Sequence, residues 1–274
     1  MRAPTVHAFL KVRDRAVRVE SYRGAEPFAE VVNEPGGLLP YAKKHLGALR
    51  WADLEAQVGI DSDPALFEWI GDAWFGNPLR ESVELDAFDP VERVARTLEL
   101  QHAELHEVTL PGMDQGSHER RFLSVRIAPK RVQPRAGGSV IVQAQEPGRE
   151  LLGHSFTVEI DGIDCSGVLA VDPVKVRTTG GLLVFPDVRL HVDVARARSF
   201  RDWFDDFVLG GNNDDDKERA GRITFYDPLL KDALATLELV HLGIFRIAEE
   251  PVAGRVQIDL YCERMELKTF FQAL

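Results

Sequence analysis

The chain has 274 residues, of which 45% are hydrophobic and 28% charged, and this composition excludes extended disorder and favours two globular domains. Its 33 basic and 44 acidic residues give a formal net charge of −11, which argues against tight binding of nucleic acid. No apolar run is long enough to cross a bilayer, and the N-terminus lacks a signal-peptide pattern. We therefore expect a cytoplasmic protein without a membrane partner.

The first predicted elements in chain order are a strand and a short helix. Apolar residues alternate from Leu54 to Ile60, which is the period of a strand with one buried face. Asp63 then suits the N-cap of a helix, and Pro64 suits its first position. The apolar face of this helix consists of Leu66, Trp69, Ile70 and Ala73, and we interpret its tryptophan as a core residue.

Three further strands complete the first half. The strand predicted for 82–88 ends at an Asp-Pro step that favours a turn, and a return strand follows. The apolar phase of the return strand slips by one residue at His102, which predicts a β-bulge. Alternation resumes in the last strand, 122–128.

Proline and glycine mark a connection between two halves. They are frequent in 129–138 and again in 146–148, and a short strand is predicted for 139–145 between these segments. We place the boundary near residue 146, so that the predicted domains are 1–145 and 146–274.

The second half repeats the first. The hexapeptide TLELQH at 97–102 recurs as TLELVH at 236–241, and FDP at 88–90 recurs as YDP at 226–228. The other matched segments are 54–60 with 188–194, Trp69 with Trp203, and 122–128 with 255–262. Each copy therefore contains antiparallel strands and one short helix, and we predict a mainly β protein with two tandem β-barrel or β-sandwich domains.

The helix of the second half is predicted from its own residues. Ser199 suits its N-cap, and Asp202 three residues later suits a capping box. Its apolar stripe consists of Phe200, Trp203, Phe204 and Phe207.

Several segments of the first half follow one another in a fixed order. The segment 43–47, KKHLG, leads into the strand at 51–60 and then into 66–70, LFEWI, and IAPK follows at 127–130. Together these segments resemble phage tail-tube proteins. The second half resembles a diverged copy, with FTVEIDG at 156–162 and CSGV at 165–168 near the first hairpin of that family. The two matches span most of the chain.

This resemblance implies a β-barrel with a flanking helix, whose subunits form hexameric rings that stack into the tube of contractile phage tails and related injection systems. A duplicated domain resembles hub or adaptor components, in which three chains supply six barrels. The implied partners are further copies of this chain, as a trimer or hexamer, and other tube, hub or baseplate proteins. DNA or cargo would pass through the lumen without tight binding. The implied location is the cytoplasm before assembly and a virion or phage-tail-like particle afterwards.

Two charged clusters are candidate contacts between subunits. Lys43, Lys44 and His45, with Arg50 nearby, form the densest basic patch outside the connection. The acidic cluster consists of Asn213, Asp214, Asp215 and Asp216. Opposite charge favours docking of one cluster on the other in a neighbouring subunit, whereas the alternative is two solvated loops. The acidic cluster lacks the glycine and final glutamate of a calcium-binding loop.

The sequence predicts no metal site, cofactor or catalytic residue. His102 and His106 have a spacing that suits a metal pair, but a third ligand is missing and the second half retains only His241, so we favour a bulge role. Cys165 and Cys262 lack metal-type spacing and predict no disulfide framework. We therefore expect a structural protein rather than an enzyme. The alternative is a ligand-binding double barrel or an unrecognised enzyme, which predicts a monomer or simple dimer with a deep polar pocket.

Overall fold

The computed structural model describes residues 8–35, 41–60, 62–76, 80–88, 94–136, 149–179, 182–250 and 254–270. Strands make up 62% of the fold, beside two short α-helices, which confirms the predicted mainly β class. The strand predicted for 139–145 and the boundary near residue 146 lie outside the described residues.

Six strands of the first half close into a barrel. They follow the order β10-β5-β2-β1-β6-β7, and β7 pairs back with β10. The elements of this half are β1 Ala8–Val12, β2 Arg15–Arg23, β3 Pro27–Glu34, β4 Lys43–Trp51, β5 Leu54–Val58, α1 Pro64–Trp74, β6 Glu81–Phe88, β7 Val94–Leu110, β8 Met113–Asp114, β9 Arg120–Arg121, β10 Leu123–Ala128 and β11 Arg131–Ala136.

The second half builds an open sheet of seven strands. Its order is β13-β18-β19-β20-β17-β14-β8, so the two-residue strand β8 comes from the first half. The elements are β12 Leu151–Leu152, β13 Phe156–Ile160, β14 Val168–Val171, β15 Val174–Thr179, β16 Leu182–Val184, β17 Val188–Asp193, α2 Arg198–Phe204, β18 Arg219–Tyr226, β19 Ala233–Glu249 and β20 Arg255–Thr269.

The barrel and the open sheet share one pairing scheme. Strands β13, β14, β17, β18, β19 and β20 take the places of β1, β2, β5, β6, β7 and β10. Five strand pairs of the barrel therefore have a counterpart in the second sheet. The sixth barrel pair, β1 with β2, has no counterpart among the described strands, and the second sheet is open between β13 and β14.

The two halves also exchange strands. β15 pairs with β7 of the barrel, with Val176 opposite Val108, while β8 pairs with β14 and β9 with β12. Buried apolar residues of both halves accordingly form one continuous cluster. Each sheet is thus extended by strands that lie in the other half of the sequence.

The first helix begins as the sequence predicts, and the second does not. The carboxylate of Asp63 accepts the backbone N–H of Ala65 at 2.8 Å, and Pro64 is the first residue of α1. In α2 the N-cap is Ala197, without a side-chain hydrogen bond, so the cap predicted at Ser199 is wrong. The chain enters α2 through a 3₁₀ turn, and the Ser199 hydroxyl instead donates to the carbonyl of Asp164 at 3.3 Å.

The predicted apolar faces of both helices are largely buried, with Ala73 and Phe204 half-buried at their edges. Trp69 is fully buried in α1, and Trp203 is almost fully buried in α2. α1 packs against β20 as well as against the barrel, so it lies between the two sheets. Among the described residues, none of the helices has the length and apolar character needed to span a membrane.

Candidate assembly interface

Strands β3 and β4 form a separate two-stranded sheet, which we call the first hairpin. Almost all of its residues are exposed, including large apolar ones. The exposed apolar side chains of the first hairpin are Phe28, Val31, Val32, Leu46 and Leu49. A lone hairpin is marginally stable in water, and exposed apolar clusters of this kind mark interaction sites. The first hairpin is therefore a candidate contact surface.

The base of the first hairpin is fixed by a glycine. Gly24 has a φ of +96°, a conformation that other residues rarely adopt. A Cβ at this position would also lie 1.9 Å from the carbonyl oxygen of Asp53. Only glycine therefore allows β2 to turn into β3 so close to the chain that leads into β5.

The predicted basic patch lies on β4 of the first hairpin rather than in a loop. The Nε2 atom of His45 lies 2.9 Å from a carboxylate oxygen of Glu34, and Arg50 forms an ion pair with Glu30 at 2.6 Å. These acidic partners lie on β3, so part of the positive charge is balanced within the hairpin. Lys43 and Lys44 are exposed at its outer end.

The predicted acidic cluster lies in the turn before β18. Asn213, Asp214, Asp215 and Asp216 are mostly exposed, and the pKa of Asp216 is lowered by its hydrogen bond and ion pair with Lys217. No ion pair joins this turn to the basic patch within the described part of the chain. Contact between the two clusters of neighbouring subunits stays a prediction.

Strands β15 and β16 form the second hairpin, which occupies the place of the first hairpin in the other half. Its strand β15 continues the barrel along β7. Glu107 on β7 accepts a hydrogen bond from Arg177 at 2.8 Å and lies 3.6 Å from the Lys175 ammonium. The contact therefore combines main-chain pairing, a buried Val176–Val108 pair and two ion pairs.

A second contact between the halves lies beside this one. Trp74, in the last turn of α1, packs edge-to-face on Phe185, with ring centroids 5.9 Å apart and an interplanar angle of 89°. Phe185 lies at the base of the second hairpin. The hairpin of the second half and the helix of the first half therefore meet in one interface, and aromatic packing of this kind adds to its stability.

Both predicted histidine bulges are present. His102 and His241 have φ of 51° and 57°, and the pairing register of each long strand shifts opposite its histidine. His102 and His106 share no hydrogen-bond or ion-pair partner among the described residues. His106 instead lies 3.3 Å from the carboxylate of Asp53, and this hydrogen bond raises the pKa of the histidine above 6.5.

We expect valine at either bulge to destabilise the protein, because a β-branched residue fits poorly in the left-handed region. His102→Val and His241→Val should each lower the free energy of unfolding by about 1–3 kcal/mol. Glycine should change it by less than about 1 kcal/mol, because relief of strain offsets the larger entropy of the unfolded chain. Urea unfolding measures both effects. Gln101→Val is the matched control, since valine already stands at the equivalent position 240, and equal stability of all variants would contradict the prediction.

One group of metal-ligand type occurs among the described residues. Ligand atoms of Glu218, His241 and Glu263 lie within 4.8 Å of one another. Both carboxylate oxygens of Glu218 already accept hydrogen bonds, from Tyr261 at 2.7 Å and from His241 at 2.8 Å. This geometry fits a carboxylate that holds the bulge in place, and a cation would have to displace both donors.

The two cysteines are free thiols. Burial raises the pKa of both Cys165 and Cys262 to about 11. Both groups are therefore protonated near neutral pH and are poor nucleophiles and poor metal ligands.

Comparisons with known proteins give a partial likeness. No protein-family model matches the chain, and no curated protein matches it. Among solved structures, 48% of this chain overlaps 90% of a chain from the sheath-tube complex of the PVC extracellular contractile injection system, with a TM-score of 0.40 and 16% identity. The anti-feeding prophage tube-terminating cap overlaps 50% of this chain, and 92% of its own, with a TM-score of 0.38 and 16% identity. Each overlap covers about half of this chain and most of the known chain.

Proposed function

We propose that this chain is a structural component of a phage tail or of a phage-tail-like contractile injection system. In this role it assembles with copies of itself into a ring that serves as part of the inner tube, the hub or an adaptor. It has no catalytic role in this proposal, and its other partners are tube, hub or baseplate proteins. Before assembly it resides in the cytoplasm.

The observation that carries the proposal is the contact between two similarly connected halves. The second hairpin lies on β7, while the first hairpin is exposed with apolar side chains. A contact in which one surface binds a different surface on a similar unit is heterologous, and such contacts close into rings or continue as filaments. The repeated segments of the sequence support a tandem duplication of one tube-like domain, with domains at 1–145 and 146–274.

Sedimentation velocity over a concentration series tests this function. We expect a species of three or six chains at micromolar concentrations, and open rings in negative-stain images. The series is repeated at several salt concentrations, because salt screens both the repulsion that arises from the net charge of −11 and the attraction between opposite charges in a contact. A single chain at every concentration and salt level would contradict a ring-forming role.

A further inference from the structure

We propose that the first hairpin of one chain docks on the exposed edge of β19 in a second copy of this chain. The contact repeats between chains the one that the second hairpin makes with β7 inside the chain. This inference deepens the proposed function, because it names the surfaces that would close the ring, and it rests on that function for the ring itself.

The shared pairing scheme defines which residues correspond. In the first hairpin Phe28 is opposite Arg50, and in the second hairpin Arg177 is opposite Val184. Arg50 and Val184 each stand four residues before the next strand, which begins at Leu54 in one half and at Val188 in the other. Phe28 therefore corresponds to Arg177, and two residues earlier Glu26 corresponds to Lys175.

The receiving strands are aligned by their bulges. His102 and His241 occupy the same position in β7 and β19. Five residues after each histidine stand Glu107 and Arg246. Arg246 is therefore the counterpart of Glu107. It would face the docked hairpin of a second chain as Glu107 faces the second hairpin of its own chain.

The charges in the two contacts are opposite in sign and complementary in each case. Within the chain, Lys175 and Arg177 of the second hairpin approach Glu107 of the receiving strand. Between chains, Glu26, directly before the first hairpin, would approach Arg246 of the receiving strand, while Phe28 stands in the place of Arg177 and carries no charge. Arg246 is 59% exposed, and its ion-pair partner among the described residues, Asp259, is distant at 3.7 Å, while Glu26 is exposed. Because the signs are reversed, a hairpin with Glu26 is repelled from a β7 edge and attracted to a β19 edge.

The backbone of β19 is available for this pairing. Among the described strands, β18 pairs with β19 only as far as Leu242, and the segment from Arg246 to Glu249 pairs on its other side with β20. An unpaired strand edge of this kind is a template for pairing with another chain. Pro27, which corresponds to Val176, lacks a backbone N–H. It therefore cannot donate a hydrogen bond to the receiving strand, although its carbonyl can still accept one. The contact between chains is therefore weaker than the one within the chain.

A second pair of residues fits the same docking. Within the chain, Trp74 of α1 packs on Phe185 at the base of the second hairpin. Five residues after Trp203 stands Val208, in the π-helical turn Asp205–Leu209 that follows α2 and packs against β19, and Trp51 stands at the base of the first hairpin. Val208 is 37% exposed and Trp51 is half-buried. Docking of the first hairpin on β19 would bring this apolar pair together.

A charge-exchange experiment tests the docking. Glu26→Arg and Arg246→Glu should each raise the concentration of half-assembly, measured by sedimentation velocity, by roughly tenfold or more. The chain that carries both changes should assemble within about threefold of the original concentration. An equimolar mixture of the two single variants should associate at concentrations where each alone does not. Glu119→Arg, an exposed charge reversal outside the docking surfaces, is the control and should have no effect.

The outcomes separate the docking from the ring. If the original chain forms rings and both single variants assemble like Glu119→Arg, the docking is wrong while the ring stands. If the original chain and the mixture both remain single chains, the ring and the docking are both wrong. Val208→Asp is an independent test, since it should also raise the concentration of half-assembly. If this variant is folded and assembles normally, the proposed contact of Val208 with Trp51 is wrong. Circular dichroism confirms that each variant is folded.

Discussion

Replacing Trp69 by alanine is expected to lower the free energy of unfolding by about 3–5 kcal/mol, the largest effect of any substitution argued for this chain. The Trp69 side chain is fully buried in α1, and its removal leaves a cavity that the closed barrel cannot collapse around. Because a domain is stabilised by only about 5–15 kcal/mol, this loss is a large part of the total. Chemical unfolding followed by circular dichroism measures it.

The same substitution should also loosen the second half. α1 packs against β20, and β7 and β15 pair across the two halves, so the sheets are expected to unfold together. Hydrogen exchange of peptides from β18 should therefore speed up in the Trp69→Ala protein. Phe75→Ala is the control, because Phe75 is 63% exposed at the end of the same helix and should change stability by less than about 0.5 kcal/mol. Unchanged exchange in β18 would show that the halves unfold independently.

Period-two patterns were enough to predict β5, β6, β7 and β10, their counterparts in the second half and both bulges, whereas β1 and β2 were not predicted. In the return strand the buried positions shift from Leu98 and Leu100 to Ala103 and Leu105, and this shift is visible in the sequence because buried positions must be apolar. The bulge at His102 therefore follows from local pattern alone. The N-cap at Asp63 is local in the same sense, since it depends on residues directly beside the helix.

Features that depend on contacts between the halves were not predictable in this way. The burial of Trp74 follows from Phe185, more than a hundred residues away, and the predicted face of α1 did not include it. The strand exchange of β8 and β15 is set by the same distant contacts. The first hairpin was missed because both of its faces are exposed, so that no alternation of polar and apolar residues marks its strands.

The predicted contact clusters show the same limit. Lys43, Lys44 and His45 stand out by charge, and the structure places them on one strand of an exposed hairpin. The residues that our docking model uses, Glu26 and Arg246, are single charges without any local cluster. They are identified only as the counterparts of Lys175 and Glu107, and this correspondence requires the strand pairing of the folded protein.

Reversing the charge of Glu107 is expected to detach the second hairpin from the barrel. The Glu107 side chain is only 12% exposed and contacts Arg177 and Lys175, while Arg126 stands opposite it on β10. Glu107→Lys would place a fourth positive charge among these three. Because the partners are about half exposed, the expected loss is about 1–3 kcal/mol rather than the full value for a buried pair. Hydrogen exchange should rise first in β15, whose pairing with β7 depends on this contact.

A compensating change distinguishes the ion pairs from a general effect of strand substitution. Adding Lys175→Glu and Arg177→Glu to the Glu107→Lys chain should restore most but not all of the stability, because Arg126 still faces the new lysine. Glu104→Lys is the matched control on the same strand, since Glu104 is 38% exposed and its ion-pair partner among the described residues is Arg80. Glu107→Lys and Glu104→Lys could instead show the same stability, with no change in the hydrogen exchange of β15. In that case the ion pairs of Glu107 do not stabilise the attachment of the second hairpin. Main-chain pairing and the Val176–Val108 contact would then account for the exchange of strands between the halves.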